Sequence, residues 1–285
     1  MRSFLVTMIL GFASVVFAES PPPSKAVEST CRLTLYSDVA ILGTVAALEK
    51  ETPEIEAAPG LKKAHQVARI KIDTGFTGIA GLTHLRIGYV TTDAKERPRN
   101  APAALPGIPA LEVGQQRLFF LRKLPGNNQI LLLNGAPPVD VTTPSGKQQL
   151  EQARKTSTVM ADSMKALTSP VAEDRCYAAL VMLAKYRGVS NSKIDFLRPE
   201  VAVPAEESRL ILRGLLDGDW SKSEANAPTV FMAPAMLGLS AKDGWVPPQL
   251  KIGENSGPTL QRAFADWRAG PGKNYVVKRY QLRGN

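Results

Sequence analysis

Gln66-Val-Ala-Arg-Ile-Lys-Ile72 decides the fold class of this chain. Gln66, Ala68, Ile70 and Ile72 alternate with Val67, Arg69 and Lys71, a period of two that sends one set to a core and the other outward. Leu82–Val90 repeats the pattern, with Leu85, Ile87 and Tyr89 on one face. Between them, Asp73–Gly81 carries Gly75, Gly78 and Gly81, residues that turn a chain at low steric cost. If these two segments form a hairpin about Gly78, His84 faces Lys71 and His65 lies at the far end, near Val90. Upstream, Val39-Ala-Ile-Leu-Gly-Thr-Val-Ala-Ala-Leu48 reads as a buried strand with a bend at Gly43. Glu51–Lys63, charged and holding Pro53 and Pro59, reads as a loop, and Thr91–Ile108 as a longer one. Gln115–Lys123 and Gln129–Asn134 form a hairpin around Pro125-Gly126-Asn127-Asn128. Strands without helices between them predict a small closed or half-open barrel.

Beyond Thr142 the apolar period becomes helical. Lys147–Leu167 sets Leu150, Ala153, Ser157, Met160, Met164 and Leu167 three or four residues apart, the mark of an amphipathic helix. Ala172–Tyr186, Ala205–Leu216 and Thr259–Arg268 read as further helices, and Pro234 divides Thr229–Leu239 into two short turns. Asn274–Leu282 alternates again and predicts a strand that returns to the edge of the barrel.

The first residues supply an address. Met1-Arg2-Ser3, an apolar run from Phe4 to Phe17 and then Ala18-Glu19 have the layout of a secretory signal peptide, cleaved after Ala18. The run is shorter than the roughly 20 apolar residues of a membrane-spanning helix. Residues 19–29, polar and rich in proline, form a spacer. Export to the periplasm or beyond is expected, with no membrane anchor and no lipid attached at Cys31. In that oxidising setting Cys31 and Cys176 are a possible disulfide, closing a loop from 31 to 176. The formal net charge of +9 favours anionic partners. The basic residues are scattered and their clusters short, so nucleic acid is not the expected partner. An unknown protein or an anionic envelope polymer is.

Ser37-Asp-Val-Ala-Ile-Leu-Gly-Thr-Val45, Val67-Ala-Arg-Ile-Lys-Ile72 and Pro109-Ala-Leu-Glu-Val-Gly114 leading into Arg117-Leu-Phe-Phe-Leu121 resemble the OB-type barrel of the netrin and metalloproteinase-inhibitor superfamily. The resemblance covers about a third of the chain and rests on packing patterns. In those inhibitors an amino-terminal cysteine chelates the protease zinc; here Cys31 lies well inside the expected mature terminus, Glu19. Ala172-Glu-Asp-Arg-Cys-Tyr-Ala-Ala-Leu180 and Gly238-Leu-Ser-Ala-Lys-Asp-Gly-Trp-Val-Pro-Pro248 resemble secreted bacterial proteins of the planctomycete type, which implies a layout and no activity.

No catalytic set is complete. His65 and His84 fall too far apart along their strands to share a metal, and are expected to face solvent. Asp217-x-Asp219-x-Ser221 opens like a calcium loop, but Lys222 and Pro228 stand where an EF-hand needs glycine and glutamate. Ser240 lacks the glycine that a nucleophile elbow requires, and Ser190-x-x-Lys193 lacks its companion motifs. Glu173-Asp174 and Glu206-Glu207 sit in first helical turns, where the helix dipole explains them. Trp220, Trp245 and Trp267 are expected in a core, and one of Phe119 and Phe120 on a surface.

The expected architecture is α+β: a small five-stranded OB-like β-barrel over residues 30–141, followed by a mainly α-helical module with a C-terminal strand over 142–285. The expected function is a non-enzymatic binding or assembly role in the cell envelope, without cofactor or metal. The alternatives are inhibition of secreted proteases through the barrel face and a hydrolase of no recognisable motif. Arg69, Lys71 and Arg86 are the candidate binding face.

Overall fold

The computed structural model describes residues 29–58, 60–90, 110–124, 127–134, 136–187, 199–222, 229–250 and 256–281. The signal peptide, nearly all of the spacer, the Thr91–Ile108 loop and Ser190-x-x-Lys193 lie outside the described residues.

The chain begins with helix α1 (Thr30–Tyr36), capped by Ser29 Oγ, which accepts from Arg32 N. Strand β1 (Val39–Leu48) follows, then a hairpin of β2 (Glu54–Ala58) and β3 (Leu61–Ala64), then β4 (Gln66–Thr77) and β5 (His84–Tyr89). β6 (Gln116–Leu124), β7 (Asn127–Leu133) and the short β8 (Val139–Asp140) complete this half. The sheet runs β1-β4-β5-β7-β6 and closes through β6 onto β1, with β8 flanking β6. The ladders are antiparallel except β5–β7, which is parallel and joins only Ile87↔Leu131 and Gly88↔Leu132. Counting barrel strands alone, this is the closed order 1-2-3-5-4 of an OB-like barrel.

The strand period decides what fills it. Val39, Ile41, Val45, Ala68, Ile70, Leu85, Ile87, Tyr89, Phe119, Leu121 and Leu131 form one buried cluster inside the barrel. Neither phenylalanine is a surface residue. Phe119 points inward, and Phe120 joins Leu33, Ala40, Leu42, Leu118, Val141 and Ala153 in a second cluster between barrel and helices. A third cluster lies under the β2–β3 hairpin, where Ile55 packs on Val67, Leu124, Ile130 and Leu132.

The helical half contains α2 (Pro144–Ala161), α3 (Ser163–Leu167), α4 (Ala172–Arg187), β9 (Glu200–Ala202), α5 (Ala205–Leu216), α6 (Ala233–Leu237), α7 (Ser256–Ala269) and β10 (Lys278–Tyr280). Thr143 caps α2, its Oγ1 accepting from Gly146 N at 3.0 Å. The single helix expected over 147–167 is broken at Asp162, which leaves helical geometry and caps α3 through Lys165 N. Trp220, Phe264, Trp267 and Trp245 stack in the core, with ring centroids 5.2–6.3 Å apart.

Four further expectations need correcting. Residues 30–36, taken with the barrel, form a helix whose Cys31 packs in the helical core and whose Tyr36 hydroxyl donates to Ala184 O at 2.6 Å. The 51–63 segment holds the β2–β3 hairpin rather than a plain loop. His65 is buried beneath that hairpin, with Nδ1 2.7 Å from Lys63 O, instead of facing solvent. The C-terminal strand pairs with β9 inside the helical half, not with the barrel edge.

Gly214 brings α5 against α4. A Cβ built there lies 2.6 Å from Arg175 O and 2.9 Å from Ala179 Cβ. In an open helix, alanine would be favoured by about 1 kcal/mol. Here the neighbours include rigid backbone, and overpacking outweighs propensity. Gly214→Ala should therefore destabilise the protein by about 1–2 kcal/mol in urea unfolding; a stabilised variant would refute the close α4–α5 approach.

Candidate functional site

The barrel interior is filled, so Arg69, Lys71 and Arg86 do not rim an open lumen. They stand on the outer wall made by β4 and β5. The register sets Arg69 opposite Arg86 and Lys71 opposite His84. Directly opposed like charges weaken a strand pair by a few tenths of a kcal/mol or more, so this arrangement is not one that packing selects.

Only part of the charge is compensated. Glu49, just past β1, grips Arg86 in a fork: Nε to Oε1 at 2.8 Å and Nη2 to Oε2 at 2.6 Å. The hydrogen bond from Arg86 lowers the Glu49 pKa, against desolvation and with help from the charges of Arg86 and Arg69. Asp73, beyond Lys71 on the same wall, accepts from Thr44 Oγ1 at 2.6 Å and Gln116 Nε2 at 2.9 Å. Burial opposes its charged form, but these bonds and Lys71 prevail and its pKa is lowered. Among the described residues Arg69 and Lys71 make no ion pair within 4.0 Å, and both are exposed. The structure thus brings all three predicted residues onto one face, but Arg86 is an anchored cation.

Beside this face lies an open cleft of ≈ 770 Å³. Its lining adds His84, Leu82, Leu85, Val39, Leu131 and Lys123 to Arg69 and Arg86. None of these additions belonged to the candidate face. Lys123, at the end of β6, reaches it only through barrel closure, which no local pattern in the sequence reveals.

The other expected constellations are structural. Asp217 pairs with Arg175 Nε at 2.7 Å, and Asp219 accepts from Ser221 N and Oγ. Ser240 and Asp243 cap a short turn. Among the described residues no group of three or more His, Cys, Asp and Glu is placed to hold a metal.

The possible Cys31–Cys176 disulfide is not formed; both are free, buried thiols. Each sulfur has its own surroundings. Desolvation raises the Cys31 pKa to about 11 despite a hydrogen bond with Thr156 and the charge of Arg32. Desolvation, with Asp217 and Glu173, likewise raises Cys176 to about 11. Gly218 leaves the room that the Cys176 sulfur occupies, since a Cβ there would lie 2.5 Å from Sγ.

Comparison with protein-family models and with curated proteins finds no match for this chain.

Two measurements follow from these environments. A thiol-specific reagent should label neither cysteine in the native protein and both after unfolding, read as two mass additions; a single disulfide would give none. For Glu49, the folded pKa is lowered, so the stabilisation by Arg86 is complete above the ordinary carboxylate value of 4.5 and lost as pH falls through the lower folded value. The pair is partly exposed, so Glu49→Gln should cost only about 0.5 kcal/mol at pH 7. In urea melts that difference should shrink steadily below pH 4.5.

Proposed function

We propose that the protein is an exported, non-enzymatic binding module of the cell envelope that engages an anionic envelope polymer on the outer β4–β5 wall. One observation carries this reading: Arg69 faces Arg86 across β4 and β5 on an exposed sheet surface, Lys71 stands one row along the same face, and among the described residues neither Arg69 nor Lys71 makes an ion pair. A sheet that needed only solubility would alternate charges there; a polyanion supplies the missing counter-charge along the row. The signal-like start, Phe4–Phe17 followed by Ala18, supports the envelope setting. The +9 net charge supports the sign of the partner.

Attraction of this kind is screened within about 10 Å at 0.1 M salt. Binding of polygalacturonate should accordingly weaken as salt rises. The double variant Arg69→Glu/Lys71→Glu should raise its Kd by about tenfold or more, equivalent to about 1.4 kcal/mol. Lys165→Glu, on distant α3, should not. Equal losses at the two sites would show a diffuse charge effect and remove the β4–β5 wall as the binding surface.

A further inference from the structure

The cleft lies where the short β5–β7 ladder meets the start of β1, the turn between β4 and β5 and the end of β6. That ladder is limited to two residue pairs, Ile87↔Leu131 and Gly88↔Leu132, and the ≈ 770 Å³ cleft is lined by residues just before it on β5 and by Leu131 on β7. The floor is aliphatic. Val39, Leu85 and Leu131 are core residues, 1%, 8% and 6% exposed, which show one side to the cleft. Leu82 stands at the lip with 51% of its surface in water. It is held there by a turn with Gly78 and Gly81 at φ 72° and 79°, closed by Leu82 N donating to Ile79 O. Around this hydrocarbon patch come Arg69, His84 and Lys123.

Oily floor and cationic rim call for one kind of ligand. An inorganic anion would leave the leucines wet, while a neutral hydrocarbon would leave the cations unanswered. Sugar rings and bases are held best by stacking on the broad faces of Trp, Tyr and Phe, and among the described lining residues there is none of these three. The volume is that of a small-molecule site, about 300–1,000 Å³. We infer that the cleft binds an aliphatic chain ending in an anionic headgroup, carboxylate or phosphate, with the chain on Leu82, Leu85 and Leu131 and the head against Arg69 and Lys123. This rests on the reading of the protein as a binding module for anionic envelope material, and names the amphiphile that the same region accepts beside the polymer.

The full chain is titrated calorimetrically with octanoate and decanoate below their micelle concentrations. Each buried methylene is worth about fourfold in affinity, so decanoate, two methylenes longer, should bind about fifteenfold tighter. Leu82→Ser and Lys123→Gln, both at exposed side chains, should each weaken decanoate at least fivefold, and Leu82→Met should retain it. Neither Leu82→Ser nor Lys123→Gln should alter polygalacturonate retention. Decyl phosphate separates phosphate from carboxylate heads; vesicles of phosphatidylglycerol against phosphatidylcholine separate a bilayer headgroup from a free amphiphile, and binding in any of these arms that Leu82→Ser weakens supports the cleft. Equal affinity for octanoate and decanoate, or decanoate binding indifferent to Leu82→Ser and Lys123→Gln, overturns the inference. Polymer binding without amphiphile binding overturns the inference and leaves the function proposed above standing; amphiphile binding at the cleft without polymer binding does the reverse.

Discussion

The burial of the outer face of β1 and β6 governs the rest of the molecule. Ala40, Leu42, Leu118 and Phe120 point away from the barrel interior, yet Ala40, Leu118 and Phe120 are at most 1% exposed and Leu42 6%. They lie against Leu33 of α1 and Ala153 of α2. A barrel with that wall bare would expose a broad apolar patch, so the helices are its second layer rather than an appendage. Ser157 of α2, donating to Phe76 O of β4, ties the two halves at the margin of this layer. Because one wall is covered, the opposite wall of β4 and β5 is the one that meets solvent with polar side chains.

The helical half is organised by its own constraint, the breadth of α4. Eight of its residues from Cys176 to Ala184 are buried, and they cover more than one face of the helix. Neighbours must therefore close around it: α5 through Gly214, α3 and α6 along its flanks, and the β9–β10 pair at its end. Arg187 fastens that end. Its Nη1 meets Glu200 Oε1 at 2.5 Å, its Nε donates to Met236 O, and its guanidinium lies 4.6 Å from the Tyr280 ring centre. Those contacts hold the last strand against β9, while the barrel closes on itself by pairing β6 with β1.

What the sequence revealed and what it hid divide along the same physical line. Local periodicity gave the alternation of β4 and β5, the facing of Lys71 and His84, and the bounds of α5, because each depends on residues close in the chain. The β2–β3 hairpin was hidden: among its described side chains Ile55 is the apolar one that packs on the barrel, and Pro53, Pro59 and the surrounding charges read as loop. The helical state of residues 30–36 was hidden by a short length and by β-branched and aromatic residues, and is fixed instead by the Ser29 cap and by burial of Cys31 and Leu33. The site was half legible. Arg69, Lys71 and Arg86 share a strand period, whereas Glu49, Lys123 and Leu131 come to them through closure of the sheet, a long-range event without a local signature.

That closure also explains why the site has an aliphatic side at all. At Gly88 the missing side chain lets β5 approach β7 and the hairpin together: a Cβ would meet Leu132 Cδ2 at 3.0 Å and Ile130 Cγ2 and Ile55 Cδ1 at 3.1 Å. The contact is therefore tight at Gly88 and ends after one neighbouring pair. Leu85, just before the ladder on β5, and Leu131, within it on β7, both line the cleft. The same alternation that turns Leu85 and Ile87 of β5 inward to build the core turns Arg86 outward, to charge its rim. A longer β5–β7 ladder would stabilise the barrel by further backbone hydrogen bonds, yet it would seal the leucines behind the wall and leave the cations on a purely polar surface. The short ladder joins core hydrocarbon to surface charge within one cleft.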